Sequence, residues 1–216
     1  VAGASTLHAQ ETLYGKQPPP GSAYVRFANA LDSGVTVKTN YQPDTHLGMS
    51  PANRVGAFSI IENAKDRPLD ITVQDGHGAS ELHYAATAEA FVTFVFQRSD
   101  SGTITISPIS ERVDFNQMRA RIAFYNAVPG CAAAALTIRP SGPEMFQGVV
   151  NATVQSRTVK PVKASVQTLC AGHEGPSLDL DGLETGASYS LWLTSLSQND
   201  GFFLTRDAVT PYAPGK

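Results

Sequence analysis

The stretch "AYVRFANALDSGVTV" at residues 23–37 decides the fold, because the chain writes it again as "ARIAFYNAVPGCAAAALTI" at residues 120–138. In both places a β-rich run closes on Asn-Ala and a turn, the pattern of a strand leading into a reversal. Val25 and Phe27 match Ile122 and Phe124, and Asn29 matches Asn126. Farther on, "ATAEAFVTFVFQRSDSGTITI" (residues 86–106) lies over "ETGASYSLWLTSLSQNDGFFL" (residues 184–204), with Phe91 over Tyr189 and a one-residue adjustment before the glycines Gly102 and Gly201. Anchors that keep their spacing to within one residue predict a duplicated domain. The interval is too long for a solenoid repeat, so each copy should own a core.

Length agrees. The chain has 216 residues, room for two domains of about 100 residues each. Apolar residues make up 42% and charged residues 16%, with a net charge of −3. Lys and Arg are scattered rather than gathered into the basic patch that neutralises a phosphate backbone, which argues against nucleic acid as a partner. No apolar run approaches the roughly 20 residues of a transmembrane helix. The opening "VAGASTLHAQ" reads as the tail of an export signal, with a floppy extension as the alternative. The expected organisation is residues 1–10 as that remnant, 11–107 as the first domain, 108–118 as a linker and 119–216 as the second. The linker "SPISERVDFNQM" reads equally as flexible or as an extended strand.

The class is all-β. Alternation is clear in "YVRFANA", "VTVKT", "LDITVQD", "FVTFVF", "RIAFYNA" and "SLWLTSL", with turn clusters such as Asp75-Gly76 and Asn199-Asp200-Gly201 between such runs. About seven short strands per hundred residues predict two tandem immunoglobulin-like β-sandwiches. The spacing of Leu183, Gly186, Tyr189 and Leu191 resembles a tyrosine corner, in which a Tyr hydroxyl ties a strand to the preceding turn. Phe91 takes the equivalent place in the first copy, without a hydroxyl.

Duplication sorts structural residues from functional ones, since a residue required by the fold should recur. The apolar pairs recur as core, and Asn29/Asn126 recur at a strand end, where an Asx side chain caps a turn. Arg26 does not recur. Alternation points it outward, and its counterpart is Ala123, so it stands as a candidate interaction residue. Trp192, with Phe94 as its counterpart, is assigned to the core rather than to sugar stacking.

Catalytic motifs are absent from the sequence. There is no Gly-x-Ser-x-Gly elbow or related esterase block, and His8, His46, His77, His83 and His173 fall in no metal-ligand spacing. Asp179-Leu-Asp-Gly lacks the remaining acidic positions of a calcium loop. No cofactor is expected, and the chain is read as not an enzyme. Cys131 and Cys170 both lie in the second copy, which favours one disulfide in an exported chain.

The block "LYGKQPPPGSAYVRFANA" at residues 13–30 resembles the AlgF family, periplasmic auxiliary proteins of bacterial alginate O-acetylation, and the AlgF-like proteins of cellulose acetylation systems. The match is carried by Leu13, Tyr14, Gly15, Pro20, Gly21, Ser22, Ala23, Tyr24, Val25, Arg26, Asn29 and Ala30. The resemblance implies a non-catalytic periplasmic adaptor that holds a periplasmic SGNH-type O-acetyltransferase and other members of the acetylation complex together, with a weak polysaccharide contact left open. Leu13, Tyr14, Gly15 and Arg26 are its candidate interaction residues. The alternative is a carbohydrate-binding or adhesin-like tandem sandwich, for which Tyr24, Tyr41 and Tyr212 are the candidate aromatics.

Overall fold

The computed structural model describes residues 18–111, 113, 118–161, 163–197 and 199–212. Among these, sixteen strands form in two sets of eight. The first set is β1 (Ala23–Asn29), β2 (Val35–Thr39), β3 (Thr45–Leu47), β4 (Ser59–Ile61), β5 (Leu69–Gln74), β6 (Ala79–Tyr84), β7 (Phe91–Arg98) and β8 (Ile104–Glu111). The second is β9 (Ala120–Asn126), β10 (Ala133–Ile138), β11 (Glu144–Val150), β12 (Thr153–Val159), β13 (Ala164–Cys170), β14 (His173–Leu180), β15 (Ser188–Leu193) and β16 (Phe202–Arg206).

Each set folds as a β-sandwich, and the two have the same topology. Sheet β4-β1-β7-β8 packs on β3-β2-β5-β6, and sheet β12-β9-β15-β16 packs on β11-β10-β13-β14. In both halves the first strand runs parallel to the seventh, Val25 beside Val92 and Ile122 beside Tyr189. The copies own separate cores. One is built on Val25, Phe27, Ile71, Phe94 and Phe96, the other on Ile122, Phe124, Leu136, Val166, Leu191 and Leu193.

The paired register corrects the alignment of the copies. Val25 pairs with Val92 as Ile122 pairs with Tyr189, so Tyr189 is equivalent to Val92 rather than Phe91, and Gly102 and Gly201 then stand two residues out of step. Trp192 is then the counterpart of Val95, and both belong to a third apolar cluster with Ala28, Ile109, Ala123, Tyr125, Ala127 and Phe203. This cluster lies between the sandwiches. The outer faces of β4-β1-β7-β8 and β12-β9-β15-β16 are pressed together, which is why all seven residues of β9 and the first seven of β7 are buried. The presumed linker also shortens, since Pro108 to Glu111 pair with β7 as part of β8.

Asn29 and Asn126 perform the same task. Asn29 Nδ2 donates to the carbonyls of Ser33 and Gly48 while its Oδ1 accepts from Leu31 N–H. Asn126 Nδ2 donates to Cys131 and Val149 carbonyls while its Oδ1 accepts from Val128 N–H. Each side chain supplies the buried partners that the backbone lacks where a core strand turns away. The tyrosine corner is present as well. Tyr189 Oη accepts from Glu184 N–H at 3.0 Å and donates to Gly182 O at 3.4 Å, across a turn whose Gly182 and Gly186 sit at φ 78° and 79°, a region that favours glycine.

The β5–β6 turn holds a buried carboxylate. Asp75 accepts from Ser33 Oγ at 2.7 Å, from the backbone N–H groups of His77 and Gly78 at 2.8 and 2.9 Å, and from Arg98. Burial alone would raise its pKa, but these hydrogen bonds outweigh burial and hold the carboxyl well below the usual carboxylate range. A depressed folded pKa means stability that is present above the unfolded value of about 4 and lost as pH falls toward the folded one. Unfolding measured by urea between neutral and acid pH should therefore show Asp75→Asn losing less stability below about pH 4 than the parent. Parallel acid limbs for the two proteins would rule Asp75 out as a source of the acid sensitivity.

Candidate functional site at the seam between the sandwiches

Of the residues nominated for interaction, Leu13, Tyr14 and Gly15 lie outside the described residues. Arg26 is described, and it is not a surface residue. It does point away from its own core, as alternation requires, but the second sandwich covers that face and leaves it 2% exposed.

β1 carries Arg26 into the seam between residues from both halves. Its Nε donates to Thr93 Oγ1 at 3.0 Å, Nη1 to Asp207 Oδ1 at 2.6 Å, and Nη2 to Tyr125 Oη at 3.0 Å and Ser190 Oγ at 2.9 Å. Thr93 and Ser190 occupy equivalent positions in the two copies, beside the paired Val92 and Tyr189, so the guanidinium is held by both halves in the same way. The ring of Phe58 lies 4.2 Å from its carbon, an arrangement favourable to a desolvated cation.

Glu111 ends β8 and completes the network. It accepts hydrogen bonds from Arg121 and from Tyr125 Oη and lies 3.7 Å from Arg26 Nη2. Ser190 Oγ donates to Asp207 at 2.7 Å. Two arginines thus face two carboxylates in a buried interface. Burial disfavours the charged guanidinium of Arg26, but the fields of Tyr125, Asp207 and Glu111 and the hydrogen bond to Asp207 outweigh it, and the pKa lies above the ordinary arginine value. With four hydrogen bonds inside the protein and a side chain 1% exposed, Arg26 is not presented to a partner. Its chemistry is that of a lock.

Other side chains pack into the same seam. Tyr125 stacks on Trp192 with ring centres 4.0 Å apart, and Trp192 Nε1 donates to Thr205 Oγ1 at 3.0 Å, so the only tryptophan packs between the halves. Gln97 of the first half donates to Asn151 Oδ1 of the second at 2.7 Å.

Two depressions line the edge of this seam. One, of about 440 Å³, is bordered by Pro18, Pro20, Ser22, Tyr24, Glu89 and Val113. The other, of about 230 Å³, is bordered by Phe58, Val113, Ser188, Arg206 and Val209, and Phe91 lines both. Tyr24 stacks on Phe91 at 4.3 Å and Phe58 meets it edge-on at 5.1 Å. The proline run that follows residues 13–15 therefore borders an aromatic-floored groove beside the lock.

No protein-family model matches the chain, and a search of curated proteins returns no significant match. Cys131 and Cys170 form a disulfide with α-carbons 5.7 Å apart, within the usual geometric range. His83 pairs with Asp70 at 2.6 Å on the surface, and His46 meets Thr36 at 3.0 Å. Among the described residues no group of three metal-ligating side chains forms, and no helix is long and apolar enough to cross a membrane. The disulfide is of a kind that persists in oxidising compartments.

Sequence reasoning nominated Arg26 but missed its partners. Asp207 and Glu111 lie far from it along the chain and carry no motif, and Glu111 stood in the presumed linker. The available signal was Arg26 itself, a long cation on a strand in which every other residue is apolar, aromatic or small apart from the terminal Asn29.

Proposed function

We propose that the chain is a non-catalytic periplasmic adaptor in the O-acetylation of an exopolysaccharide, alginate or cellulose, and that it docks a periplasmic SGNH-type O-acetyltransferase through the segment around Leu13, Tyr14 and Gly15. The observation that supports this most is the seam. A buried ion network and an apolar cluster join the two sandwiches into one body, which suits a part whose work is to hold other proteins at fixed spacing. The block that resembles the AlgF family leads into that body, and its prolines border the aromatic groove. A proline-stiffened entry segment loses little entropy on docking, and a Tyr or Leu anchor seated in an apolar groove carries binding well. Arg26 has no part in this docking.

Capture of the acetyltransferase by the immobilised protein tests the proposal. Replacing Leu13 and Tyr14 together by alanine should weaken capture by about tenfold or more and leave the melting temperature unchanged. Full capture by the double variant, or no capture by the parent protein, would remove the adaptor reading.

A further inference from the structure

The segment that follows β16 does not stay with its own sandwich. Phe58 N–H donates to Ala208 O and Thr210 N–H donates to Phe58 O, both at 2.8 Å, making a parallel bridge between Phe58 and Val209. Tyr212 Oη then donates to Glu62 Oε1 at 2.8 Å. These bonds fasten residues 208–212 beside β4 and leave a cavity of about 370 Å³ between that segment and the first sandwich, within the usual range of small-ligand sites, roughly 300–1,000 Å³.

Its lining combines two kinds of surface. Tyr41, Tyr212 and Ile60 supply rings and aliphatic area, while Gln42, Glu62 and Arg67 supply an amide, a carboxylate and a guanidinium. A sugar ring has the same division, with apolar C–H faces and a rim of hydroxyls that both donate and accept. Tyr41 adds an independent observation. Its ring packs against the first core, yet its hydroxyl is buried without a hydrogen-bond partner. Such groups are rare because burial removes the water that would satisfy them. The hydroxyl is closed from solvent, so a ligand bonds to it only when the residues around it move.

We propose that this cavity is a glycan subsite, which takes a sugar unit of a polysaccharide against the Tyr41 and Tyr212 rings, with sugar hydroxyls bonded to Glu62, Gln42 and the Tyr41 hydroxyl. The site is built from both halves of the chain, so the seam that fixes the sandwiches also forms it. It does not depend on the adaptor reading, since it concerns the polymer rather than a protein partner.

The test is titration of the whole protein with a short neutral β-glucan and, separately, a short oligouronate, followed by backbone NMR. Shifts are expected for Ile60, Glu62, Thr210 and Tyr212 with at least one of the two. Tyr212→Ala should weaken that binding by about tenfold, and Tyr41→Phe by about threefold with no loss of melting temperature. Arg67→Ala separates the sources, because a loss confined to the oligouronate identifies a carboxylate ligand. Absence of shifts with both sugars up to about 10 mM, or binding untouched by both tyrosine variants, would overturn the proposal. Neither result bears on capture of the acetyltransferase.

Discussion

Replacing Arg26 by alanine lowers the unfolding free energy by about 3–5 kcal/mol, a drop of roughly 10–15 °C in melting temperature for a chain of this size. The cost does not come mainly from the lost attraction. Asp207 and Glu111 have side chains only 9% and 4% exposed, and without the guanidinium they are left as buried charges with fewer donors. Thr93, Tyr125 and Ser190 also lose a partner each. Arg26→Lys should recover only part, because an ammonium cannot reproduce a fork that reaches Thr93, Asp207, Tyr125 and Ser190 together. Removing the pair as a whole tells removal from breakage, so Arg26→Met combined with Asp207→Asn, which leaves Arg121 paired with Glu111, should be more stable than Arg26→Ala alone. Because the pair is buried, added salt should change the deficit little. A melting curve for Arg26→Ala within about 1 °C of the parent would show that the seam is held by Trp192 and Tyr125 packing alone.

The same residue shows how far the sequence could be read. Period-two alternation correctly placed Arg26 on the face opposite Val25 and Phe27, but alternation reports which face a side chain takes and not what covers that face. Here another copy of the same sheet covers it. The duplicated strand was legible because Asn29 and Asn126 answer the same backbone demand in each half, and the tyrosine corner was legible because its glycines and Tyr189 lie close together in the chain. Phase along β7 was not, because a strand buried on both faces gives no contrast between Phe91 and Val92. That slip by one residue put Trp192 in a sandwich core rather than at the seam. The cavity shared by Tyr41 and Tyr212 had no local signal at all, since it depends on residues 208–212 crossing to the other half.

Loss of the Cys131–Cys170 disulfide should cost about 4 kcal/mol. Its cysteines are 39 residues apart, and chain-entropy reasoning assigns a closed loop of that size about this value through restriction of the unfolded chain. The bond joins the turn after β9 to the end of β13, and both cysteines belong to the second core. Its stabilisation therefore belongs first to the half that carries it. Whether the first half shares the loss depends on the seam. If the buried network couples the sandwiches as strongly as its burial implies, the Cys131→Ala, Cys170→Ala protein unfolds in one transition at lower denaturant. If the halves were merely adjacent, the second sandwich would unfold early and the first would keep its own midpoint. Adding Arg26→Ala to the cysteine-free protein should then separate a single transition into two, because it removes the ionic part of the coupling without touching either sandwich core. Titration of the unreduced, denatured parent should find no free thiol. Two free thiols, or a cysteine-free variant within about 1 kcal/mol of the parent, would mean that the second sandwich does not rely on this bond. Coupling through Arg26 would still be readable from the number of transitions, because it acts on the interface and not on the loop.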